Sequence, residues 1–146
     1  MSTSKLFLLG VVPVASLRHE RRIAADADTV WGVVRRPESI PEWFPGIVSC
    51  TVEGNRRVIT TAAGLEIPEE IVASDDQLRH FAYRITAPQY TFHLGVIDVI
   101  AIAANDSLCV YSTTALPDTL ALLIAGGTLG ALGEIQRLAE ASMVAS

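Results

Sequence analysis

The stretch RRIAADADTVWGVVRRPESIPEWFPGI, residues 21–47, decides how the rest of the chain is read. It holds a short apolar periodicity, a proline, and barely one further turn, with a tryptophan in each half. Asp26 is a good helix N-cap, and Asp28 sits in the first turn, where its charge suits the helix dipole. Ala27, Val30, Trp31 and Val34 fall on one helical face. Arg36 precedes Pro37, which disfavours helical backbone and ends that helix. Pro37 can then open a second short helix carrying Ile40 and Trp43, and FPGI turns the chain away. One unbroken helix would bury more apolar surface, so the break predicts a lid.

Working outward, SLRHERRIA (16–24) precedes this stretch and reads as a strand, with Leu17 and Ile23 at period-two spacing. From Ile47 to Thr114 the pattern is a meander: 47–53, 57–63, 66–74, 78–86, 91–103 and 108–115, joined by turn residues such as Gly54-Asn55 and Asp75-Asp76. Pro117-Asp118 then announces a helix over 119–144, with Asp118 as its N-cap. Its second half sets Leu132, Ile135, Leu138 and Ala139 against Glu134, Arg137 and Glu140, whereas residues 119–133 carry no charge. The expected fold is α+β: about seven antiparallel strands curved around a long C-terminal helix, with two small helices closing one end of an internal cavity. Residues 16–146 form that domain, and residues 1–15 are an apolar arm.

Composition bounds the function. The 146 residues are 50% hydrophobic and 18% charged, with a mean hydropathy of +0.38. That surplus suggests a cavity, an oligomer interface or membrane contact. A net charge of −5 and the absence of a basic stripe, with Arg21-Arg22, Arg35-Arg36 and Arg56-Arg57 as scattered pairs, argue against nucleic acid. Cys50 and Cys109 lie far apart and read as free thiols; His19, His80 and His93 are isolated, so no metal site is visible. MSTSKLFLLGVVPVA (1–15) has the outline of a secretion signal, but its charged region is thin and Pro13 interrupts the run. The reading adopted is a structural arm on a cytoplasmic protein, with secretion the alternative if residues 1–15 act as a signal. No segment reads as a transmembrane span. The bare helix half predicts that the arm or a second subunit, as in a homodimer, covers its outer face.

In IAADADTVWGVVRRPESIPEWFPGI (23–47), EEIVASDDQLRHFAYRI (69–85) and PDTLALLIAGGTLGALGEIQRLAEA (117–141), the chain resembles the START-related helix-grip (SRPBCC) superfamily and its polyketide cyclase/dehydrase-like branch. That superfamily includes the birch-pollen allergen and the abscisic-acid receptors. The first stretch is the most specific, because the V-W pair, proline break, tryptophan and P-G turn recur there in that order. The resemblance implies a lipophilic pocket between sheet and helix, without a cofactor and without a particular reaction.

Within that frame Glu69, Tyr83 and His93 are the candidate polar anchors of a hydrophobic small-molecule ligand. Trp43, Ile71, Phe81 and Ile97 are candidate walls. The match points the face of Phe81, Tyr83 and Ile85 inward and His80, Ala82 and Arg84 outward. Were the protein an aromatase/cyclase-like enzyme, His93 or Glu69 would take a proton while Tyr83 steadied an enolate. Against each role stands a structural alternative. Pro68 can leave Glu69 and Glu70 in solvent, Tyr83 can be a core tyrosine, and His93 a satisfied strand histidine. Asp98 faces solvent by alternation, or becomes a second pocket acid if the register slips by one. Neither a tight acid–base motif nor a pocket arginine is evident. The residues AGLEIP (63–68) fall where the receptor branch has a gating loop. Gly126, Gly127, Gly130 and Gly133 each cost roughly 1 kcal/mol in a helix, so they are expected at a kink, a close approach or a cavity wall.

Overall fold

The computed structural model describes residues 15–145. Residues 1–14 of the arm therefore lie outside the described residues, as does the expectation that the arm covers the C-terminal helix, while Ala15 opens the first strand. Strand β1 (Ala15–Ile23) alternates half-buried and exposed positions until Ile23 enters the core. Helix α1 (Ala27–Val34) starts at Asp26, whose Oδ2 accepts the Thr29 N–H at 3.0 Å while Oδ1 takes the Thr29 hydroxyl at 2.6 Å. The first bond satisfies one of the orphaned N–H groups of the helix end, and the second holds the cap in place. Arg36 is extended (φ −88°, ψ 119°) ahead of Pro37, as the proline ring requires.

The second short helix, expected from Pro37 through Trp43, is split in two. A 3-10 turn covers Pro37–Ser39, and α2 (Ile40–Trp43) is a single turn. The Ser39 side chain binds the Arg36 carbonyl at 2.7 Å and the Val33 carbonyl at 3.0 Å. Competition of this kind with the helical ladder is characteristic of serine.

Seven strands form one antiparallel sheet in the order β1-β7-β6-β5-β4-β3-β2. Besides β1 they are β2 (Ile47–Glu53), β3 (Arg56–Thr61), β4 (Glu66–Asp75), β5 (His80–Ile85), β6 (Phe92–Ala103) and β7 (Asp106–Leu116). Register shifts at Ile47/Ser49, Ile71/Ala73 and Ala101/Ala103 mark irregularities of the kind that bend a sheet. Helix α3 (Asp118–Ala145) lies against β1, β7 and α1, with Ala131, Leu132, Ile135 and Ala139 in the core. It therefore covers the β1–β7 side of the concave face and leaves room over β3–β5. This is the helix-grip architecture.

Two glycines of α3 have a packing reason. A Cβ on Gly127 would lie 2.7 Å from Phe44 Cζ, and one on Gly130 would lie 3.2 Å from Pro45 Cγ. The helix backbone rides directly on the FPGI turn, which only a missing side chain permits. The outer face of the charge-free half stays apolar, with Leu122 and Leu129 exposed. By length and composition α3 would also pass for a membrane span, a property the sequence reading did not credit to it. Its other side is seated on the sheet as a core helix.

Candidate ligand cavity

The space left over β3–β5 is a cavity of about 340 Å³. Ile40 and the turn Phe44-Pro45-Gly46-Ile47 close it at one end, Ile124 and Gly127 on α3 form its roof, and Ile59, Thr61, Ile67, Glu69 and Tyr83 form its floor. The turn after the broken helix borders this hollow at one end. Phe44 and Ile40 line it there, and the tryptophans do not. Trp43 is 1% exposed, gives its indole N–H to Ser39 Oγ at 3.1 Å and stands edge-on to Tyr111. Trp31 sends its indole N–H to Asp76 at 2.8 Å.

Alternation along β3 turns Arg57 inward together with Ile59. The antiparallel register sets Arg57 opposite Glu69 on β4, and Arg57 Nε donates to Glu69 Oε1 at 2.7 Å with the two side chains 1% and 3% exposed. Pro68 does not loosen this strand. Glu69 is buried, whereas Glu70 points the other way and pairs with Arg84 at 3.0 Å. Burial pushes the Glu69 carboxyl above its ordinary value, and the guanidinium pulls it back. Arg57 also donates through Nη1 to the Pro37 carbonyl at 2.8 Å, and its guanidinium lies 4.9 Å over the ring of Tyr83 and 5.5 Å over that of Phe81. Such stacking suits the planar, weakly hydrated cation. One buried arginine thus connects the helix break, the cavity carboxylate and two rings.

Tyr83 faces the cavity from β5, and its hydroxyl meets that of Tyr111 at 2.5 Å. Burial holds both phenols well above their ordinary value, so each acts as a hydrogen-bonding hydroxyl and neither as a phenolate. Tyr83 fits because its register partner on β6 is Gly95. A Cβ there would lie 2.5 Å from Tyr83 Cζ.

His93 lies elsewhere. Its ring packs 5.6 Å from Tyr83 and 5.5 Å from Tyr90, centroid to centroid, beside a separate hollow of about 240 Å³ between β5 and β6. Ile85 N–H donates to His93 Nδ1 at 2.9 Å. That bond fixes the neutral tautomer with the proton on Nε2 and leaves no lone pair on the ring for a general base. His93 is not brought to Glu69. Phe81 and Ile97 are buried in the core, and Ile71 packs against its margin. Along with Trp43 and His93, they are not among the residues that line the main cavity. Two expectations about facing need correction or completion. Ala82 is buried despite its outward position, and Asp98 follows the alternation outward, meeting His80 at 2.6 Å. Among the described residues no cluster of His, Cys, Asp and Glu could hold a metal.

Burial pushes the His93 pKa down to about 4 from an ordinary 6.5. A histidine kept neutral when folded takes up a proton on unfolding, so its contribution to stability is present above pH 6.5 and is lost as the pH falls toward 4. Between pH 7 and 5 this loss is about 2 kcal/mol. The raised Glu69 value acts in the opposite direction, so the comparison is with His93→Gln at each pH. Urea titrations should show that the variant lacks this acid-dependent loss. An unchanged slope would mean that His93 is solvated.

Sequence reasoning missed Arg57 and Tyr111. Arg57 was counted among the scattered arginine pairs, although its period-two spacing from Ile59 and Thr61 was the available signal. The family model for polyketide cyclase / dehydrase and lipid transport matches residues 14–117. The chain belongs to that family. No curated protein sequence matches it. Among solved structures, XoxI of Bacillus cereus is 26% identical, covering 84% of this chain and 94% of that one, with a TM-score of 0.79. Norcoclaurine synthase of Thalictrum flavum, solved as a point mutant with a transition-state analogue, is 20% identical over 89% and 96% of the two chains, TM-score 0.70. The di-domain ARO/CYC BexL is 17% identical over 86% of this chain and 46% of that one, TM-score 0.71. At those identities the last two show the fold alone.

Proposed function

We propose that this family member binds a hydrophobic small molecule in the cavity between α3 and strands β3–β5, with Glu69 and Tyr83 as its polar anchors. The observation that carries the reading is the cavity wall. It is almost wholly aliphatic or aromatic, and its polar groups gather on the β3–β5 floor. A pocket of this kind gains affinity from apolar burial and orientation from a few fixed polar groups. An enzymatic reading in the manner of a cyclase has less support. The phenols resist ionisation, the His93 ring has no free lone pair, and one oxygen of Glu69 is already held by Arg57.

Native mass spectrometry of the freshly purified full-length chain tests this, with Ile67→Phe as the partner experiment. Ile67 lines the cavity, so the larger, flat ring intrudes on it and narrows it at a cost of about 1–3 kcal/mol. The expected result is a retained small-molecule mass on the wild type, or at least tenfold tighter binding of an apolar fluorescent dye than by the variant. Equal dye binding by both proteins would place the ligand outside this cavity and overturn the reading.

A further inference from the structure

We propose that the cavity selects neutral ligands carrying a hydroxyl donor, such as long-chain alcohols or phenols, and rejects carboxylic acids of the same chain length. This rests on the binding reading above and adds the ligand's chemical class. Glu69 is the one charged residue among those lining the cavity. Arg57 occupies Oε1 and leaves Oε2 without a protein partner among the described residues. The compensating guanidinium does not line the cavity. It sits over Phe81 and Tyr83 and is tied to the Pro37 carbonyl.

A ligand head therefore meets an anionic acceptor whose counter-charge is behind the wall. A hydroxyl supplies the missing donor in a charge-assisted hydrogen bond. A ligand carboxylate would instead set two anions together in a low-dielectric hollow, which one of them must avoid by protonation or departure. Tyr83 does not reverse this preference. Its hydroxyl shares one hydrogen bond with that of Tyr111 and can still orient a ligand, but a neutral phenol cannot balance a second negative charge.

The test is competitive displacement of an apolar fluorescent dye from the full-length protein at pH 8 by 1-decanol and by sodium decanoate. Decanol is also the more hydrophobic of the two, so the readout is how their affinity ratio changes in Glu69→Gln. In the wild type decanol should bind at least thirtyfold tighter. In Glu69→Gln, where the Arg57 charge is no longer neutralised, the ratio should fall at least tenfold as decanoate gains and decanol loses. Arg57→Met/Glu69→Gln removes both charges and serves if the single variant does not fold; its ratio should lie between the other two. A wild-type ratio near one, or a ratio unmoved by either variant, overturns the ligand class while leaving cavity binding intact. No displacement by either ligand and no dye binding at all overturns the binding reading itself.

Discussion

Replacing Arg57 with methionine should destabilise the protein by about 3–5 kcal/mol, the cost of leaving one member of a buried ion pair alone. Glu69 would stay at 3% exposure without its partner, and the Pro37 carbonyl would lose its 2.8 Å donor. The double variant Arg57→Met/Glu69→Met should recover most of that loss, since two well-packed apolar side chains replace a buried pair at little net cost. Urea denaturation of the wild type, the single variant and the double variant measures both numbers. A single variant within about 1 kcal/mol of wild type would show that water reaches the pair, as it does at surface ion pairs. The charged arrangement would then contribute little to stability. A large single loss with a small double loss would show that the pair is maintained for what it presents to the cavity.

The second large effect is at Gly95. Gly95→Ala places a methyl 2.5 Å from Tyr83 Cζ and 2.6 Å from Cε1, atoms of a rigid ring at 3% exposure. The ring cannot move aside without breaking its bond to Tyr111. The expected loss is about 3 kcal/mol, at the upper end of ordinary overpacking. A double-mutant cycle with Tyr83→Ala tests the cause. The tyrosine truncation alone costs about 3–5 kcal/mol. Once the ring is gone, adding Gly95→Ala should be nearly neutral, giving a coupling well above 1 kcal/mol. Additive losses would place the strain in the β6 backbone instead.

These two sites mark what the sequence did not reveal, in contrast to the fold. Periodicity and turn chemistry carried the fold, because each is a local property. Asp26 caps its helix, Pro37 breaks it, and period-two runs joined by Gly54-Asn55 or Asp75-Asp76 become strands. Cross-strand partners are a different kind of information. Nothing near Arg57 in the chain points to Glu69, twelve residues on, and nothing near Tyr83 points to Gly95 or Tyr111. Those pairings depend on register, which the whole sheet sets. The cavity walls were harder still. Trp43, Phe81 and Ile97 carry the residue types a pocket wall needs, yet all three are packed into the core. His93 likewise looked like a site residue by type, and a backbone N–H claimed its ring.

The contact between Gly127 and Phe44 also sets how the cavity can change size among related chains. The roof at that point is bare backbone, so any substitution at Gly127 adds atoms and can only narrow the space. Phe44 is the opposite case: each atom trimmed from its ring opens room beneath a helix that need not move. Enlargement is therefore available from the turn and contraction from the helix, so a relative adapted to a bulkier ligand is expected to differ at position 44 while keeping its glycine at 127.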